Sequence, residues 1–111
     1  MSKDDLVRLR HMLDSAMEAV ELIHGKSRAD LDTNRVLSLA LVRLLEIVGE
    51  AASKVTTATQ QQNPNIPWAQ IVSLRHRLIH GYDTINMDIF WKILVDDLPA
   101  LIAQLQKIDY S

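Results

Sequence analysis

At 111 residues and 48% hydrophobic side chains, the chain has the length of one domain and the apolar content of a continuous core, which excludes a disordered tail. Twelve Lys and Arg against fourteen Asp and Glu give a net charge of -2, which excludes the broad cationic coat of a duplex-binding protein and leaves a small local site as the means of gripping nucleic acid. Cysteine is absent, which excludes disulfides and thiolate metal sites and suits a reducing compartment. Three Gly, three Pro and 5% aromatics leave little material for a turn-rich β fold, so the expected class is all-α.

The opening Met1 to Asp5 runs straight into an amphipathic pattern with Arg8 and Arg10, and it offers no apolar stretch for a signal peptide. The longest apolar run, Leu37 to Val42 broken by Ser38, is far short of a membrane span. A cytoplasmic protein without membrane contact is expected.

A first helix is predicted from about Lys3 to His24, with Leu6, Leu9, Leu13, Met17, Val20 and Ile23 at helical spacing and Gly25 as its stop. Asp30 or Asp32 is placed to cap the next helix, from Val36 to Val55. That helix is apolar on nearly every face through Ala52, which predicts the central, most enclosed element. Gly49 in its middle costs roughly 1 kcal/mol relative to Ala, a cost that close approach of another backbone would explain. Thr56 to Asn65 loses periodicity and reads as a frayed end and loop. Pro67 and Trp68 open a third helix striped by Ile71, Leu74 and Leu78, with Gly81 as a terminator. Asn86 or Asp88 caps a fourth, running through Ile89, Phe90, Ile93, Leu94, Leu98, Leu101 and Leu105. Pro99 either kinks it or starts a fifth. The architecture expected is a four- to five-helix bundle in a single domain, residues 1–111.

The chemistry concentrates in the third helix. Counting about 100° per residue from Ile71, Arg75 falls near 40°, inside the apolar stripe. A guanidinium there needs partners, because an unpaired buried charge costs several kcal/mol. One reading is a structural ion pair with Glu46 or Glu50, which share a face at i,i+4 spacing. His80 lies about 140° around from Arg75 on a regular helix, so the two share one site only if the helix ends or two copies of the chain combine. His76 and His80 have the i,i+4 spacing of a zinc pair, but no Glu sits at the metalloprotease position and no third ligand follows; the expectation is no metal and no cofactor. Glycine-rich phosphate loops and the GxSxG elbow are absent.

The stretch Ile66-Pro67-Trp68, then Arg75-His76-Arg77-Leu78-Ile79-His80-Gly81-Tyr82, then Trp91 resembles the HepT-like branch of the HEPN superfamily. The signature of that branch is Arg, four residues, His, any residue, Tyr, matched by Arg75, His80 and Tyr82. Glu46 to Ala51 is similar to the family's glycine-containing second helix, and Trp91 and Leu98-Pro99 to its last, so the resemblance runs from about Leu37 to Leu105.

The resemblance implies a HEPN-like bundle that forms a homodimer, and a metal-independent endoribonuclease toxin of a toxin–antitoxin pair. It implies Arg75 and His80 as catalytic residues, with transfer or messenger RNA as substrate. Where the family often has Asn after the Arg, this chain has His76, an auxiliary residue able to orient phosphate or carry a second proton. The implied partner is a nucleotidyltransferase antitoxin that attaches AMP to Tyr82. The competing expectation is a non-catalytic HEPN binding module beside a nucleotidyltransferase.

Overall fold

The computed structural model describes residues 1–79 and 86–111, and within the fifth helix it leaves aside the side chains of Arg75, Arg77, Leu78 and Ile79. The secondary structure of the described residues is entirely helical, and none of their helices is long and apolar enough to cross a membrane.

Helix α1 (Lys3–Leu22) is capped by Ser2, whose hydroxyl accepts from the Asp5 N–H at 3.1 Å, with Asp4 and Asp5 in the first turn where the helix dipole favours them. Its buried stripe runs through Leu9, Met12, Leu13, Ala16 and Ala19 to Ile23. The stripe is rotated from the predicted one: Met17 is 45% exposed, and the small Ala16 and Ala19 take the inner positions. Small residues let α1 lie close against its neighbour, whereas the size of Met17 drew the prediction toward the wrong arc. Gly25, at φ +74°, closes the helix end as expected.

A short α2 (Asp30–Thr33) precedes α3 (Arg35–Ser53). The cap of α3 is Asn34 rather than Asp30 or Asp32; its side-chain oxygen accepts from the Leu37 N–H at 3.0 Å. The Asp30 carboxylate instead accepts from the Ser27 N–H. Helix α3 packs against α1 and also against the later α5 (Trp68–Ile79), burying Leu37, Leu41, Leu45 and Val48. It is central but not enclosed on every side. One face remains open, with Val36 78% exposed and Leu39 and Arg43 also in solvent.

The polar stretch read as loop holds a helix, α4 (Thr57–Gln62). Its start is fixed from outside: the buried Asp5 carboxylate of α1 accepts from the Thr56 N–H at 3.1 Å and from the Thr56 and Thr59 hydroxyls at 2.6 Å each. A cap borrowed from 51 residues away leaves no local periodicity to read.

The chain ends in a composite rod of α6 (Met87–Lys92), a π-turn (Ile93–Asp97) and α7 (Leu98–Gln106). Asn86 caps α6 by accepting from the N–H groups of Asp88 and Ile89. Pro99 is the second residue of α7 and supplies no N–H to the carbonyl four residues back. The π-turn takes up the discontinuity, and the Leu98 N–H donates to the Ile93 carbonyl, five residues back. Phe90, Leu94, Leu98, Leu101 and Leu105 of the rod are buried in the same core as α1 and α3.

Candidate active site

Helix α5 carries the Arg75 segment, and its beginning is firmly held. The indole N–H of Trp68 donates to the Asn63 carbonyl at 3.0 Å, and the Ile71 N–H reaches the Pro67 carbonyl at 3.1 Å. Ile71 is buried and Val72 and Leu74 are half-buried, so the first two turns grip the core. Arg75 follows Ile71 by four residues and therefore sits on the same side of the helix. His76, one position on, is exposed.

The basic residues fall toward the C-terminal end of α5, where unsatisfied carbonyls make cations favourable. His80, Gly81 and Tyr82 lie outside the described residues, as does the side chain of Arg75. Of the four predicted site residues, the helix therefore places the backbones of Arg75 and His76 in register. The expected helix stop at Gly81 lies outside the described residues as well.

The two carboxylates considered as partners for Arg75 have neighbours on their own helix. Glu46 meets Arg43 at 3.2 Å, and Glu50 meets Lys54 at 3.5 Å. On the far side of the motif, α6 is tied back to the α1–α3 connection by Arg28. Its guanidinium donates to Asp88 at 2.7 Å and to Asp32 at 2.8 Å. The Asp88 and Asp32 hydrogen bonds, against a slight opposing effect of burial, raise the Arg28 pKa above its usual value. The spacing of Arg28 and Asp32 is visible in sequence, but the 60-residue step to Asp88 is not.

The other titration shifts lie away from α5. At Asp5, burial pushes the carboxyl up, but the hydroxyls of Thr56 and Thr59, the Thr56 N–H and Ser2 together hold it below its usual value. Burial raises the Tyr110 phenol, which sits under the Arg10 guanidinium at 4.6 Å and donates to the Leu105 carbonyl. Among the described residues no group of three or more His, Asp or Glu gathers in metal-binding geometry.

A groove of about 710 Å³ separates α5 from the C-terminal rod. Its apolar floor includes Val48, Ile71, Leu74 and Leu101, and Lys92 and Asp97 stand among its polar lining. It reaches Leu74, the residue before Arg75, so the motif helix forms one wall of an open cleft.

A helical bundle presenting an Arg/His-bearing helix beside a cleft is the class of protein that fold and site define. Residues 12–108 match the family model described as Ribonuclease HepT-like, and the chain belongs to that family. A protein of Methanocaldococcus jannaschii that carries a provisional RNase name is 33% identical over 107 residues, covering 96% of this chain and 98% of the relative. A similarly named protein of Caldanaerobacter subterraneus subsp. tengcongensis is 33% identical over 100 residues, with 90% and 89% covered. "Probable ribonuclease HepT" of Thermococcus cleftensis is 31% identical over 100 residues, covering 86% of this chain and 91% of the relative. No solved structure gives a significant match.

Proposed function

We propose that the chain is a metal-independent endoribonuclease toxin, acting in the cytoplasm as a homodimer. The observation that carries this reading is the family match over residues 12–108, which contains the ordered set Arg75, His80 and Tyr82. Cleavage of RNA without a metal needs a base for the 2′-OH proton and stabilisation of the charged phosphorane. His80 serves as general base or acid. The freed 2′-oxygen attacks phosphorus, the 5′-oxygen leaves and takes up a proton, and a cyclic phosphate remains. Arg75 clamps the phosphate, which a planar guanidinium does in bidentate fashion. His76, exposed on the adjacent position of α5, orients the phosphate or carries the second proton.

In the same proposal a nucleotidyltransferase antitoxin silences the enzyme by transferring AMP from ATP to the Tyr82 hydroxyl, with release of pyrophosphate. Bulk and negative charge two residues from His80 oppose an incoming RNA phosphate both sterically and electrostatically.

The test is cleavage of total cellular RNA in EDTA by the wild type, beside His80→Ala and Arg75→Ala of matched helicity, with Tyr82 confirmed unmodified by mass. The expected result is cleavage by the wild type and at least a hundredfold loss in each variant. Absence of cleavage by unmodified wild-type protein overturns the nuclease reading and leaves a binding module.

A further inference from the structure

We propose that the groove between α5 and the C-terminal rod holds a guanine base of the RNA, with Asp97 and Lys92 reading its hydrogen-bonding edge. The inference rests on the nuclease reading and adds to it a base preference, with Asp97 as the specificity-determining residue.

The groove, about 710 Å³, is within the size range of sites that take small molecules. Leu74 on α5 and Ile89 on the rod give it aliphatic surface from two sides, and Ile89 is 50% exposed. Apolar walls for the faces of a flat ring, with polar groups for its edge, are what an unstacked RNA base requires. Lys92 and Asp97 supply the polar groups. Both line the groove, both are exposed, and neither side chain forms a hydrogen bond or ion pair among the described residues. Asp97 even stands at the N-cap position of α7 without capping it. On a regular α-helix, positions five apart point about 140° away from each other. The π-turn between them, closed by the Leu98 N–H on the Ile93 carbonyl, lets Lys92 and Asp97 serve the same groove.

A carboxylate in a cleft that admits RNA repels phosphate, so its use there is toward a base. Guanine is the one RNA base that sets two adjacent donors, N1–H and the N2 amino group, beside an acceptor, O6. Asp97 takes the two donors with its two oxygens, and the Lys92 ammonium donates to O6. Cytosine and adenine offer the carboxylate their exocyclic amino group alone, and uracil a single ring N–H. The backbone of Arg75 lies four residues, roughly 6 Å, along α5 from Ile71 of the groove lining, a step comparable to that from a base to its own phosphate. The exposed Val36 and Leu39 face of α3 has no such reader: Arg43 and Glu46 beside it are paired with each other.

The test is an NMR titration of the full chain in EDTA with GMP, IMP, AMP, CMP and UMP, which share ribose and phosphate and differ in the base. GMP is expected to bind at least tenfold tighter than AMP, CMP or UMP, with methyl shifts centred on Leu74 and Ile89. It should also bind several-fold tighter than IMP, which lacks the N2 amino group. In Asp97→Asn of matched helicity the GMP-to-IMP ratio should fall to about one, whereas Val36→Ala should keep the wild-type ratio. Mapped RNA cleavage sites should carry guanine at a fixed position from the cut, and Asp97→Asn should lower the ratio of guanine to other sites at least tenfold. Equal binding of the five nucleotides, no binding of GMP, shifts centred away from the groove, or a GMP-to-IMP ratio that survives Asp97→Asn each overturns the inference. So does a cleavage map without guanine preference. A protein that binds GMP through Asp97 yet cuts no RNA sinks the nuclease reading and leaves the guanine site standing.

Discussion

The two halves of the bundle are built to different standards of fit. Along the α1–α3 seam, Leu9, Met12, Leu41 and Leu45 are completely enclosed, and Ala16 and Ala19 bring the helix axes together. Between α5 and the C-terminal rod, by contrast, the helices stand apart over a groove, with Ile89 at its lip in solvent. The seam between α1 and α3 is closed, although α3 keeps Val36 and Leu39 in solvent on its other face. The second presents the motif helix and keeps an open groove beside it.

The sharpest way to break this contrast is truncation on each side. Leu45→Ala in the seam is expected to cost about 3 to 4 kcal/mol of stability in urea unfolding, because a fully enclosed leucine leaves a cavity. Leu74→Ala on the groove wall, already half-exposed, should cost only about 1 kcal/mol. Equal losses would mean that the groove is as tightly packed as the seam. The next effect concerns the borrowed cap. Asp5→Ala strands the Thr56 and Thr59 donors and is expected to cost about 2 kcal/mol.

Asp5 also carries a pH signature. Its carboxyl is held below its usual value of 3.8 in the folded chain, so its contribution is present above that value and is lost as pH falls through the folded one. Acid titration of the unfolding free energy should therefore be shallower in Asp5→Asn than in the wild type below about pH 4. The smallest effect belongs to Arg28→Ala. The Asp32 and Asp88 pairs it breaks are solvent-exposed, so the melting temperature should fall slightly at low salt and not at all at high salt.

What could be read from the sequence follows a physical division. The long helices, the Gly25 stop, the Asn86 cap and the Pro67 start are local features, written in spacing and in capping chemistry within a few residues. The all-α class followed from them. The Arg75 helix was legible too, because a cation in an apolar stripe stands out against a 3.6-residue period. What escaped was long-range. Asp5 organises α4 from 51 residues away, and nothing in the spacing around Asp5 signals it. Asn34 took the cap from Asp30 because Asp30 was drawn to Ser27. The register of α1 was misread for a related reason, since hydrophobic size marks a stripe only when the neighbouring helix leaves room for it. The open face of α3 is likewise set by which neighbours cover it, and no single helix encodes that.

The π-turn of the rod carries a consequence for how relatives of this chain should align. A π-turn accommodates one extra residue within an otherwise α-helical run, so the step from Lys92 to Asp97 spans five positions where a regular turn would span four. A homologue without the bulge would show a one-residue gap between those positions. Its Lys and Asp counterparts would then stand four apart on a regular turn. Length variation at this point of the family would thus mark which relatives share the bulge in the rod.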